Sequence, residues 1–428
     1  MNKQHQWLST QLPLWVKDKT ISQQQADTLH SRYPVKDSIN LGRLLLTAVG
    51  AIMIGLGIIL LFAYNWDEMG KYTKLSVIFG ALISAHSLAF FFINRNKVLS
   101  ESLFVLGTMF MGSTIFLVGQ IYHLDSHYPN AFLLWSAGAL ALAWALPSLS
   151  QAFMAIILVS CWHITEVLDF DYANHSALLL ILIAIFPLVW RLHSPVLARF
   201  TSATLLTSLA LSILAIDEDM VGVIMLMSAS ALIATEQIVR HFANTEQKNI
   251  AFEIEKPAVL VLIITMFCLT FTDLIDEILN FSFDSPITTG YFWSALILSQ
   301  LSFAWLLFKK QLSHLSSLAE LTVILALLPA LFYQQLDAEI LPDIYLILTL
   351  AFNIILLLFS VWLMIDGARK ANRQHMVYGS MIFSILAMVR YTDLFDSLVI
   401  RASIFLIVGI TLFSVGNIYQ RNKKEAKS

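Results

Sequence analysis

The chain carries little charge for its length. Of its 428 residues 13% are charged and 58% hydrophobic, and the mean hydropathy is +0.74. A water-soluble chain would carry about a quarter charged residues, so a soluble globular domain is excluded. Cysteine is scarce as well. Cys161 and Cys268 both fall inside apolar runs, which leaves no disulfide framework and no metal-ligand spacing. There is no Walker loop, no Gly-rich dinucleotide motif and no HExxH pattern. A GxSxG nucleophile motif is missing too. These absences predict no bound cofactor, no metal and no assigned catalytic residue. No basic surface tract suggests nucleic acid. Residues 1–40 lack the apolar core of a signal peptide and contain Lys3, Lys17, Asp18, Lys19, Asp27, Arg32, Lys36 and Asp37.

What is abundant is apolar sequence in long blocks. Blocks of about 17–25 residues match the length a helix needs to cross a hydrocarbon layer. The expected fold is all-α, a polytopic transmembrane helix bundle. Fourteen spans are read at 43–63, 75–93, 100–121, 131–147, 150–168, 176–191, 197–216, 219–239, 257–275, 289–308, 314–333, 341–365, 374–390 and 397–419. The segments between them, longest near 240–256 and 276–288, read as short polar loops. The domain reading is a helical cap over 1–40, a transmembrane domain over 41–420 and a basic tail over 421–428.

Lysine and arginine set the orientation. With the N-terminus in the cytoplasm and alternating spans, all of the 26 positive residues fall inside except Lys71, Lys74, Arg390 and Arg401. Reading 131–168 as one span instead of two, broken at Pro147, would move nearly every later positive charge outside. The bias therefore places both termini in the cytoplasm, in a multi-pass inner-membrane protein surrounded by a lipid bilayer. Acidic residues gather in the outer loops, among them Asp217, Glu218, Asp219, Asp273, Asp276, Glu277 and Asp284.

Before the first span, Trp7, Leu8, Leu12, Leu14, Trp15 and Val16 suggest a short amphipathic helix. A second begins at Ser22, where Ser22 and Gln25 have capping-box spacing, and ends before Pro34. These helices read as a cytoplasmic cap or membrane-surface element, with partner-protein binding through residues 1–40 as the functional alternative. Within the spans, Gly50, Gly55, Gly57, Gly107, Gly112 and Gly119 allow close helix approach.

Polar groups inside or beside apolar runs are the functional candidates. The third span ends in FLVGQIYHLDSHYPN, which brings Gln120, Tyr122, His123 and Asp125 together. The first ends in FAYNWDEMGK, with Tyr64, Asn65, Trp66 and Asp67. Aromatic residues belong at a membrane boundary. Gln120 fits that rim less well, because its amide needs partners away from water. Its spacing puts it on one helix face with His123. His86 sits mid-span. His163 and Glu166 share a face at i, i+3 near the outer end of the fifth span. Glu320, a few residues into its span, can reach the interface by snorkelling. Arg390 joins Asp393, Asp396 and Arg401 around the last outer loop, where an ion-pair cluster is expected. Gln300 and Asn353 read as interhelical hydrogen-bond partners.

The pairing of FAYNWD after a Gly-rich first span with GQIYHL at the end of the third resembles a bacterial predicted-membrane-protein family, domain of unknown function 2157. The polar N-terminal helices with Trp15 and Tyr33 are similar to that family's start, and the likeness is strongest over 5–150. RYTDLF at 390–395 is similar to the ends of longer members. The resemblance implies an inner-membrane location and brings no catalytic residues. The composition itself points to a secondary transporter or flippase of a small-molecule or envelope-related solute. The alternatives are a scaffold or sensor for envelope proteins and, less favoured, a periplasmic-face enzyme.

Overall fold

The computed structural model describes residues 2–32, 69–123, 127–279, 281–332 and 341–394, with isolated helical positions between 46 and 60 and between 406 and 413. No strand occurs among the described residues. The spans read at 43–63 and 397–419 lie largely outside them. The chain divides into two compact units, Met1–Ser126 and His127–Ser428.

The first unit opens with α1 (Asn2–Lys17) and α2 (Gln23–Arg32). The expected capping box is present. The Gln25 backbone N–H donates to Ser22 Oγ at 3.2 Å, and the Ser22 N–H donates to Gln25 Oε1 at 2.9 Å. Helices α3 (Lys71–Phe92) and α4 (Lys97–Ile121) then form a hairpin. Asn96 starts α4 by accepting from the Leu99 N–H at 3.1 Å. The Ser100 hydroxyl reaches back to the Ala89 carbonyl at 2.8 Å, tying the two helices at their closed end.

The second unit begins with α5 (Pro129–Ala145) and α6 (Leu149–Phe170), two helices separated at Pro147 as the charge bias requires. Pro129 opens α5 at a position where a missing N–H costs nothing. Ser148 caps α6 through the Gln151 N–H at 3.3 Å. Next comes α7 (His175–Arg191), which widens to a π turn over Ile181–Ile185. Pro187 follows at once; it cannot donate to the preceding turn, and a wide turn relieves its clash there. Then follow α8 (Pro195–Leu214), α9 (Val221–Phe242) and α10 (Thr245–Cys268). The remainder is α11 (Thr272–Leu279), α12 (Pro286–Phe308), α13 (His314–Phe332), α14 (Leu341–Arg369) and α15 (Arg373–Leu394).

Two features differ from the sequence expectation. The segment 240–256 is helical, not a loop. Only Ala243 and Asn244 separate α9 from α10, because Asn244 and Gln247 form a reciprocal capping box that restarts the helix. Its charges lie along helix sides in pairs: Arg199 donates to Glu253 at 2.7 Å, and Lys256 Nζ lies 2.5 Å from Glu253 Oε1. The span read at 257–275 is in turn broken. α10 and α11 meet at 118°.

By length and composition, seven described helices are apolar enough to cross a membrane, or eight if the bent α10–α11 pair counts as one. α5, α7 and part of α13 are shorter apolar helices. Helix α9 is the hub of the second unit. In its most apolar stretch 72% of residues are buried, against 17% in α3. A helix apolar all round belongs in a bundle interior. Around α9 the core gathers Met220, Ile224, Met227, Met266, Phe292 and Phe352.

Candidate functional site

The candidate residues divide between the two units. In the first, Tyr64, Asn65, Trp66, Asp67 and Asp125 lie outside the described residues. Gln120 sits exposed in the last turn of α4, which stops at Ile121. His123 takes a left-handed φ of 49°, so the helix face that its spacing with Gln120 implied is interrupted by the turn between them. What joins the two is backbone: the His123 N–H donates to the Gln120 carbonyl at 3.4 Å. The Tyr122 ring is exposed, with the Lys71 ammonium 6.0 Å from its centroid.

His86 packs against a glycine. Its ring fills the space above Gly107, where an added Cβ would fall 2.5 Å from the imidazole. Its Nδ1 lies 3.0 Å from the Leu82 carbonyl one turn back, and Phe104 meets the ring edge-on at 6.2 Å. Gly107 and His86 thus fit as bump and hollow across the α3–α4 hairpin.

The second unit draws several candidates together. His127, from the end of the stretch that opens at Phe116, places Nε2 2.6 Å from Glu166 Oε2. The Trp162 indole N–H donates to the other carboxylate oxygen at 3.0 Å, so both Glu166 oxygens are engaged. One turn earlier on α6, His163 is fully buried, and its Nε2 lies 3.4 Å from the Ser212 hydroxyl of α8. The Asn174 backbone and the His175 ring are its electrostatic neighbours. His175 Nδ1 in turn lies 2.6 Å from the Tyr291 hydroxyl of α12. Beside this row Tyr128 bonds to Asp169, and that bond holds its phenol above the ordinary range. Histidines from three places in the sequence therefore line one end of α5–α8. Among the described residues no group of three His, Cys, Asp or Glu is placed to hold a metal ion.

Arg390 belongs to the bend. Its Nη2 donates to the Thr270 carbonyl at 2.5 Å and to the Thr270 hydroxyl at 2.8 Å. Its guanidinium lies 4.4 Å over the Phe271 ring. The Asn353 amide donates to the same carbonyl at 3.0 Å. Where α10 ends, carbonyls lose their helical donors, and these two side chains supply replacements. Asn353 is the interhelical partner its sequence position suggested. The ion-pair cluster expected around Arg390 includes Asp396 and Arg401, which lie outside the described residues.

Two further clusters were not recognised in the sequence. The first corrects the reading of Glu320. It does not snorkel; it is 1% exposed and faces the bundle interior. The Gln300 amide donates to its Oε1 at 2.5 Å, as the interhelical role of Gln300 predicted. Its Oε2 lies 3.4 Å from Ser230 Oγ and 3.3 Å from Ser299 Oγ, and the two serine oxygens are 3.0 Å apart. Ser230 is on α9, Ser299 on α12 and Glu320 on α13. The second cluster is at the far end of α9. Arg240 Nη2 stands 2.8 Å from Glu236 Oε2 and donates to Glu255 Oε2 at 3.1 Å. Two buried carboxyl groups share one guanidinium. Glu236 within an apolar run was the available signal; the serines gave none.

Apolar helices around an interior with few but well-placed polar groups define a multi-span α-helical membrane protein. Residues 13–152 match the family described as Predicted membrane protein (DUF2157). The N-terminal part of the chain is thus similar to that family, in agreement with the likeness read from FAYNWD and GQIYHL. The match does not reach RYTDLF. No curated protein and no solved structure matches the chain.

Proposed function

We propose that this protein is a secondary transporter or flippase of a small or envelope-related solute. The observation that carries the reading is the polar centre at Ser230, Ser299, Gln300 and Glu320, enclosed by three apolar helices. A carboxylate removed from both water and lipid costs several kcal/mol, and apolar residues of the same volume would pack at least as well. Ionisable groups kept at such depth are characteristically functional. The bend between α10 and α11 adds support, since interrupted helices accompany ion and solute sites in transporters.

The location that fits is the bacterial inner membrane, with both termini in the cytoplasm. Fourteen spans follow if 43–63 and 397–419 are membrane helices and α15 crosses together with each apolar helix between them. On this reading residues 1–40 form a cytoplasmic cap, 41–420 the membrane domain and 421–428 a basic tail. The histidine row at His127, His163 and His175 then lies at the outer side.

The test is uptake into proteoliposomes of a panel of labelled metabolites and envelope precursors under an imposed ion gradient. Gradient-dependent flux of at least one solute, lost in Glu320→Gln with insertion intact, is the expected result. Absence of flux across the panel favours the second reading, a scaffold or sensor for envelope proteins. That reading draws on Trp7 and Leu14 of α1, which are 58% and 50% exposed. Under it, removing residues 1–38 abolishes binding of a membrane or cytoplasmic protein partner while insertion persists.

A further inference from the structure

We infer that Ser230, Ser299 and Glu320 form one face of a binding site for a monovalent cation of sodium size. The inference rests on the transporter reading only for its purpose, as the coupling ion; the site itself is argued from geometry.

The three oxygens stand 3.0, 3.3 and 3.4 Å apart. Hydroxyl hydrogen bonds favour about 2.7–2.8 Å, so the two contacts to Glu320 are long. The two serines also bring only two protons to three contacts, because each hydroxyl donates once. With Glu320 ionised, hydrogen bonding therefore does not account for the whole triangle. Serines in helices commonly turn back to their own backbone, as Ser113 does to Met109 at 3.1 Å and Ser160 to Ile156 at 2.8 Å. Ser230 and Ser299 point instead at each other and at the carboxylate. A hard cation held by oxygens at about 2.4 Å spaces adjacent octahedral ligands about 3.4 Å apart. The triangle has the dimensions of one such face.

Charge selects the class of ion. The face holds one carboxylate and two neutral hydroxyls, and the remaining partner of Glu320 is the neutral Gln300 amide. A monovalent cation cancels the charge, whereas a divalent one leaves an uncompensated charge in a poorly solvated interior. Gln300 engages the carboxylate oxygen outside the triangle and so fixes which oxygen is presented, as outer-shell partners do at ion sites. Because the ligands come from α9, α12 and α13, binding draws three helices toward one point, which is how an ion gradient can bias a bundle between two arrangements.

The experiment is thermal unfolding of the full-length protein in detergent, titrated with sodium chloride against choline chloride at constant ionic strength. Sodium is expected to raise the melting temperature saturably, and choline is not. Ser230→Ala and Ser299→Ala should each raise the half-saturating sodium concentration at least about tenfold, and Glu320→Gln should abolish the response. If Glu320→Gln does not fold, the serine variants decide. Identical melting in sodium and choline overturns the inference, as does a sodium response unchanged in both serine variants. Unfolding is read without any solute, so a failed uptake screen leaves the ion site standing, and loss of the ion site leaves uptake to be judged by its own assay.

Discussion

The two ends of polar chemistry in the second unit are built differently. At the histidine row, Trp162, His163 and Glu166 come from α6 and His127 from the turn before α5, and every contact to Glu166 is a donor at hydrogen-bond distance or a close ring nitrogen. At the interior centre, α9, α12 and α13 each contribute one oxygen, and the two contacts to the carboxylate are long. The first arrangement satisfies its carboxylate within the protein. The second meets one carboxylate oxygen only through two hydroxyls at long distance. Dense polar sequence therefore does not mark the carboxylate with the longer contacts; a sparse set of serines and one glutamate does.

The contrast can be broken most forcefully at the third cluster, where satisfaction depends on one cation. Arg240→Ala strands Glu236 and Glu255 together and should destabilise the protein by about 3–5 kcal/mol, the usual consequence of removing one partner from a buried pair. Chemical denaturation in detergent reads the loss, and Glu236→Gln in the same background should recover part of it. Little change would mean that solvent reaches both carboxylates. At the histidine row, Glu166→Gln weakens the contact with His127 and should cost about 1.5–3 kcal/mol. Ser230→Ala, measured without sodium, should cost less than that if its hydrogen bonds are as poor as their lengths suggest. A larger loss at Ser230 would reverse the comparison.

In the first unit, Gly107→Ala forces a Cβ to within 2.5 Å of the His86 ring and should cost about 1–3 kcal/mol through overpacking. The double variant His86→Ala/Gly107→Ala should recover part of that loss, and strict additivity would separate the two residues. The smallest effect belongs to the N-terminal helices: Ser22→Ala removes a cap worth about 1 kcal/mol, visible as faster amide exchange over 23–32 with the spans unaffected.

Much of the fold was legible because its signals are local. Ser22 with Gln25 announced α2, and positive charge around the later helices required the break at Pro147. The segment 240–256 was misread because its charges looked like a loop, whereas Asn244 and Gln247 restart a helix after two residues and Arg199, Glu253 and Lys256 pair along its sides. The site was legible only where one helix carries adjacent candidates, as with His163 and Glu166. Glu320 was misjudged because depth along a helix was visible and direction was not: six residues from the start of α13, it faces α9 and α12 rather than the interface. Ser230 and Ser299 gave no signal, since a helical serine usually serves its own backbone. Their pairing exists only once α9 and α12 are side by side.

The central claim, that the enclosed Ser230–Ser299–Glu320 centre works as an ion site of a transporter, is tested most directly by charge movement. Proteoliposomes carrying the full-length protein on a solid-supported membrane should give a transient current on a sodium concentration jump. The current should be reduced in Ser299→Ala and absent in Glu320→Gln reconstituted to the same density. A current of equal size in all three proteins, or none in the parent at saturating sodium, would contradict the account.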